Sequence, residues 1–306
     1  MITYLLRRTV LYLVILLSVI VFFIPALYLI RATYTPSYSY GDAVADGVQH
    51  IFQYFGSVAR GNWGVVSPRA DPGAVVRVIT ESYPRSMGLL LLSLVVGGLA
   101  GILLGIIAAV GRRAGVSLFT LSLSILGISA PAFFLAVLFQ AAVINLTTTT
   151  GVRLLSVGGF GWDDHLILPS LVLAARPMAQ LARVTFVTLN QVLAQDYIRT
   201  ALAKGLSRNQ MLLRHALRNA AIPVLTAIGV SLRFSLSTLP VVEVLFSWPG
   251  IGYRFYYDLV QGRSRDPAGL VAIVVLMGLT FILINLLLDI LYRLLDPRLR
   301  QSVVRY

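Results

Sequence analysis

The feature that most constrains this chain is a series of long apolar stretches without a formal charge. Thr9 to Ile30 runs for 22 residues, Met87 to Val110 for 24 and Val116 to Ile144 for 29. About 20 apolar residues in a helix suffice to cross the hydrocarbon core of a bilayer. Composition agrees: 58% of the 306 residues are hydrophobic, 12% are charged, and mean hydropathy is +0.84. A soluble domain carries about twice that charge. An ordinary cytosolic enzyme and a nucleic-acid-binding domain are thereby excluded, and an all-α integral membrane protein is expected. With no Cys in the chain, disulfides, thiolate metal sites and cysteine nucleophiles are excluded too.

Six spans are expected, over residues 9–30, 87–110, 116–144, 165–188, 223–244 and 269–290, in a single membrane domain covering 1–306. The first run is too long for a signal peptide, and no small-x-small cleavage site follows it. The second is rich in glycine (Gly88, Gly97, Gly98, Gly101, Gly105), which lets helix backbones approach closely in lipid. The third has Pro131 in mid-run, where a kink is expected. The fourth contains Arg176 and Arg183, and the fifth contains Arg233 and ends at Glu243.

Charge sets the orientation. The segments facing one way (the N-terminus, 111–115, 183–222 and 289–306) hold 14 cations and 3 acids; those facing the other way (31–86, 145–164 and 243–268) hold 9 of each. The positive-inside rule places both termini in the cytoplasm. Segment 31–86 is then external, with aromatics expected at the interface, and 189–222 is cytoplasmic.

That cytoplasmic segment is the most informative. Asp196 to Pro223 reads DYIRTALAKGLSRNQMLLRHALRNAAIP. A helix through Tyr197, Arg199, Thr200 and Ala201 is expected to stop at Gly205, acting as a C-cap glycine. Ser207, after Leu206, is the expected N-cap of a second amphipathic helix over 209–219, and Pro223 marks the start of the fifth span. The result is a helix–turn–helix elbow bearing Arg199, Lys204, Arg208, Arg214 and Arg218. A basic loop lying on anionic headgroups is one reading, worth about 1 kcal/mol per cation. Docking to a cytoplasmic partner is the favoured one, because charge attraction alone does not require Gly205 beside small Ala201 and Ala203.

The segment resembles the EAA loop of the membrane subunits of bacterial ABC importers, in the oligopeptide/dipeptide/nickel permease family. Asp196 to Ser207 and Arg214 to Pro223 carry the family's D-Y-[IV]-R-T-A-x-A-K-G-L-S and R-H-A-L-R-N-A-x-I-P runs. Arg7-Arg8, Gly61-Asn62-Trp63-Gly64, His165 to Pro169, Glu243 to Gly252 and Asp296 to Arg300 resemble further family elements in the family's order. The P-G-D-P-type element usual after the first span of peptide permeases is absent. Arg176 and Arg233 also stand where that pattern is mostly apolar or small.

The resemblance implies a type I importer-like permease of the bacterial inner membrane, multi-pass, that works by alternating access. No G-x-x-x-x-G-K-[ST] occurs in this chain. The resemblance therefore puts ATP and Mg on two cytoplasmic ABC ATPase subunits, which receive the elbow as a coupling helix. A second, similar permease chain, an extracytoplasmic solute-binding protein and short peptides as solutes are implied as well; membrane lipid is a partner and nucleic acid is not. Tyr197, Arg199, Thr200, Ala201, Lys204, Gly205, Leu206, Ser207 and Arg208 are the implied ATPase-coupling residues, with Ala201 and Gly205 permitting close docking.

Charges inside a membrane usually face a cavity or a partner. Arg176, Arg233 and Glu243 are accordingly candidates for the substrate pathway, the arginines attracting a carboxylate such as a peptide C-terminus. Snorkelling or pairing is the alternative, favoured for Arg176 and level for Arg233. Trp248-Pro249-Gly250 reads as a tight external turn or a gate. His50, His165 and His215 lack metal-ligand spacing, and Asp163-Asp164 reads as a polar turn rather than a catalytic pair. An ion-coupled secondary transporter is the competing function, disfavoured by the uncharged cores of the first three spans and by the lack of an evident repeat.

Overall fold

The computed structural model describes residues 2–35, 37–60, 74–111, 114–260 and 268–295. The elements Gly61-Asn62-Trp63-Gly64 and Asp296 to Arg300 lie outside these described residues. Among the described residues all regular structure is helical: α1 Ile2–Tyr34, α2 Tyr40–Ala59, α3 Ala74–Arg77, α4 Tyr83–Val110, α5 Ala114–Ser129 and α6 Ala132–Thr150 come first. They are followed by α7 Ile167–Leu193, α8 Asp196–Ala203, α9 Arg208–Met211, α10 Leu217–Leu245, α11 Ile251–Val260 and α12 Ala268–Leu295. Among the described residues six helical stretches are long and apolar enough to cross a membrane: Leu6–Thr33, Val75–Val110, Ala132–Thr150, Asp164–Leu193, Leu212–Leu245 and Gly269–Leu291.

Two compact units share these helices. The first joins Met1–Met87 to Pro249–Leu286, and the second joins Gly88–Trp248 to Leu287–Tyr306. In the first, α2 lies along α1. Its Ala43, Gly47, His50 and Tyr54, spaced three and four apart, share one face and are buried. A Cβ on Gly47 would come within 2.8 Å of the Pro25 Cα, so only glycine permits this approach. Tyr28 meets His50 Nδ1 at 2.8 Å, and burial holds the His50 pKa down. The other side of α2 is exposed through Val44, Val48 and Phe52. The Ile251 N–H donates to Ser86 Oγ at 2.8 Å, tying the start of α11 to α4.

The second unit is organised around α7, the most buried of the candidate spans. Gly97, Gly101 and Gly105 recur every four residues on one face of α4, directly against Ala174, Met178 and Ala182 of α7. A Cβ at Gly97 or Gly105 would lie 2.7 Å from a backbone carbonyl of α7. The matching numbers rise together, so α4 and α7 run parallel. The helix α10 runs antiparallel to α7, with Arg176 over Phe234 and Leu189 in one cluster with Ala220.

Three expectations need correction. The third span does not kink at Pro131; it breaks. Leu126 accepts the last helical bond, from Ala130, Pro131 takes an extended conformation (φ −64°, ψ 140°), and α6 starts anew. Proline lacks an N–H and clashes with the preceding turn, which weakens a helix at that point; here the Ile128 carbonyl so exposed is taken by Arg176, and α5 ends. α5 runs from Ser117, bonded to Ala108, up to Gly127 beside Ala179, and α6 carries on to Gln140 beside Leu245. The two are halves of one crossing, as the parallel α4 and α7 require. The second correction concerns the elbow. Its outgoing helix does not end at 219: α9 passes through a π turn, Leu212–Ala216, straight into α10. Pro223 therefore sits inside α10 rather than at a helix start. Third, the run from Val75 to Val110 is helical without a gap, so the helix that carries the expected second span starts well before Met87.

Candidate functional site

At the elbow, local chemistry explains the chain path. α8 ends with Lys204 N–H donating to Thr200 and Leu206 N–H donating to Ala201, the six-to-one bond of a Schellman motif. Gly205 provides the left-handed residue this needs (φ +86°), and a Cβ there would meet nothing within 4 Å. Glycine at 205 is thus required by backbone conformation and not by crowding within this chain. Ser207 and Gln210 form a reciprocal capping box: Gln210 N–H donates to Ser207 Oγ at 3.3 Å and Ser207 N–H to Gln210 Oε1 at 3.2 Å.

The elbow is held from beneath by apolar contacts. Ile198 and Met211 are buried with Leu189, Ala216 and Ala220, and Ile106 and Ala109 of α4 pack on the cluster. Asn219 donates to the Tyr197 hydroxyl at 2.7 Å, joining the two arms. What faces away is polar and basic: Tyr197, Arg199, Thr200, Lys204, Gly205 and Ser207 are exposed, with Ala201 and Leu206 half-buried. The side chain of Arg208 lies outside the described residues. Arg199 stands 3.6 Å from Asp196, both well exposed, a pair that adds little stability.

The candidate pathway residues differ in their surroundings. The Arg176 guanidinium lies 3.5 Å from the centroid of the Phe234 ring, and its Nη1 donates to the Ile128 carbonyl at 3.2 Å. That carbonyl belongs to the last turn of α5, the negative end of a helix dipole, so a cation there is favoured. Arg233 has its Nε buried without a hydrogen-bond partner among the described residues. Glu243 is fully buried and ten residues farther along α10, about 15 Å at helical rise.

Trp248 is fully buried rather than exposed in a loop. Phe160 and Trp162 meet it edge-on at 4.9 and 5.7 Å. Gly159 N–H donates to the Phe246 carbonyl at 2.8 Å, and Gln140 of α6 donates to both Val157 and Leu245. Pro249 and Gly250 follow in the other unit. Sequence reasoning missed this ring cluster, whose only signal was the density of aromatics in 160–162 and 246–248. Asp163, Asp164 and His165 can bring one ligand atom each within 4.8 Å of one another. Hydrogen bonds from His165 hold the Asp163 carboxyl below the usual range, and Asp163 caps the turn opening α7.

Six candidate membrane helices, with a capped, basic elbow between α7 and α10, define the class as a multi-span helical membrane protein. Comparison with known proteins makes this specific: residues 101–301 match the binding-protein-dependent transport system inner membrane component family, and the chain belongs to it. It is 37% identical over 250 residues to the glutathione transport system permease protein GsiC of Escherichia coli (strain K12), covering 82% of this chain and 78% of that protein. It is 36% identical over 253 residues to the dipeptide transport system permease protein DppB of Bacillus subtilis (strain 168), covering 82% and 79%. A crystal structure of an amino acid ABC transporter with histidines aligns with a TM-score of 0.53 at 16% identity, over 78% of this chain and 97% of that one. That last likeness supports the fold alone. The protein is therefore a multi-pass inner-membrane permease component of an ABC importer.

Proposed function

We propose that this chain forms half of the translocation pathway of an ATP-driven importer for short peptides. The observation that carries the reading is the elbow: a turn capped on both sides, anchored by Ile198 and Met211, and presenting Tyr197, Arg199, Thr200 and Lys204 outward. A turn so fixed can receive force from a docked protein without unfolding. The printed functions of the relatives, dipeptide and glutathione transport, support a peptide solute.

On this reading the elbow and both termini face the cytoplasm, where 14 of the 25 cations gather. Two ABC ATPase subunits, holding ATP and Mg, dock on the elbow through Tyr197 to Arg208. A second, similar permease completes the pore, and a solute-binding protein delivers peptide from outside. Arg233, with a buried and unpaired Nε, attracts the anionic end of the solute. The ring cluster around Trp248 anchors the external turn.

Purification of the tagged chain in mild detergent from its own host, with mass spectrometry of what accompanies it, tests the assembly. A second six-span permease and one or two P-loop ATPases are expected. Replacing Gly205→Trp should remove the ATPases and leave the permease pair. A chain that purifies alone from several detergents overturns the reading in favour of an ion-coupled transporter.

A further inference from the structure

The helix α2 runs back along α1. Gly47 lies against Pro25, and Tyr54 shares one apolar cluster with Ile20 and Ile24, on which Leu16 and Val58 pack. Numbers rise on α2 as they fall on α1, so the two are antiparallel. The candidate span of α1, Leu6–Thr33, has 28 residues, whereas a hydrocarbon core takes about 20. Set at either limit of that span, 6–25 or 14–33, the core contains residues 14–25, with Leu16, Ile20 and Pro25 among them. From Gly47 onward, α2 therefore lies beside the part of α1 that every placement keeps within the bilayer. Its sequence agrees: Asp42 and Asp46 sit on the turns before Gly47, and 47–59 is free of formal charge.

The outer surface of α2 is divided lengthwise. Val44, Val48 and Phe52 recur every fourth residue and are 45, 43 and 74% exposed. Asp42, Asp46, Gln49 and Gln53 form a second exposed stripe. At 3.6 residues per turn the stripes stand about 130° apart, one on each side of the face that meets α1. Hydrocarbon suits the first and water the second. We infer that α2 dips into the bilayer beside α1 without crossing it, lipid acyl chains covering Val48 and Phe52 while water reaches Gln49 and Gln53. The inference needs only that α1 crosses the membrane, and it goes beyond the importer reading. The apolar stripe offers no polar side chain for a protein to recognise, and Val21 and Phe22 of α1 are exposed at the same depth. Arg60 supports the wet flank. It follows α2 on the polar side and is exposed, with its Nε donating to the Gly56 carbonyl at 3.0 Å. A cation at that depth calls for water around it.

The test uses the complex, purified with its accompanying subunits into nanodiscs of phosphatidylcholine, which leave both membrane faces open to reagents. Phe52→benzoylphenylalanine puts a photoreactive ring on the apolar flank, and irradiation should add the mass of one phospholipid to this chain. The same substitution at Gln53 should give markedly less of that adduct. The chain has no Cys, so Phe52→Cys and Gln53→Cys each give it one thiol, and its labelling by a sulfonated maleimide is read by mass. Gln53→Cys should react about tenfold or more faster than Phe52→Cys, because an apolar setting raises a thiol's pKa and excludes the charged reagent. Fast reaction at both positions, with no lipid adduct, overturns the inference and puts α2 in water beyond the bilayer. A crosslink from position 52 to another subunit overturns the lipid assignment. Slow reaction at both positions overturns the wet flank. Both side chains are exposed, so the cysteine variants leave the packing of α2 on α1 in place.

Discussion

The two ends of α10 are fixed by opposite means. At the elbow, the backbone bonds and caps that form the turn itself are local: Leu206 to Ala201, Ser207 to Gln210 and back, with a glycine whose missing side chain faces open space. At the far end, nothing local suffices. Trp248 is enclosed by Phe160 and Trp162, and the Leu245 carbonyl is satisfied by Gln140, 105 residues away. A turn that shapes itself can afford to leave its outer face bare for another protein. A turn shaped by its neighbours cannot move without dismantling them. One end takes its shape from bonds between near neighbours in the chain, the other from groups far along it.

Three substitutions sharpen or break this contrast. Trp248→Ala removes the centre of the ring cluster and should cost about 3–5 kcal/mol, read as a large drop in the thermal midpoint of the detergent-solubilised protein. Gln140→Leu comes next: it strips the donor from the Val157 and Leu245 carbonyls and should cost about 1–3 kcal/mol by the same measurement. Gly205→Ala is the smallest, about 1–2 kcal/mol for a side chain forced into the left-handed region. Its thermal midpoint should fall least, with the apolar cluster under the elbow intact. A fall after Gly205→Ala as deep as after Trp248→Ala would mean that the elbow is structural, and the contrast would be gone.

The same distinction decides what could be read from the sequence. Gly205 and Ser207 act within five residues of themselves, so their capping roles were visible in the bare string. Pro131 was visible as an interruption, but whether it bends or breaks a helix depends on what accepts the exposed ends. Here Arg176, 48 residues on, takes the Ile128 carbonyl. Arg176 was read as a charge needing company, and its partners, a backbone oxygen and the Phe234 ring, carry no mark in the sequence. The expected stop at 219 failed because nothing between Asn209 and Pro223 breaks a helix. A proline taken as a start signal turned out to be tolerated inside one. Glu243 and Arg233 illustrate the remaining gap: both are intramembrane charges by sequence, yet helical rise separates them and their surroundings differ.

From Arg208 to Leu245 the chain keeps a helical path for 38 residues, with a π turn but no gap. At 1.5 Å per residue that is a rod of roughly 57 Å, nearly twice the thickness of a bilayer's hydrocarbon core. A lever of this length needs little travel. Tilted by about 10° around its midpoint, it carries each end sideways by roughly 5 Å, about one helical pitch. The arm that begins at the elbow is thus the same object as the one that ends beside the tryptophan cluster. A small rotation of the first becomes a displacement of atomic-contact scale at the second, less what bending at the π turn, Pro223 and Pro240 absorbs.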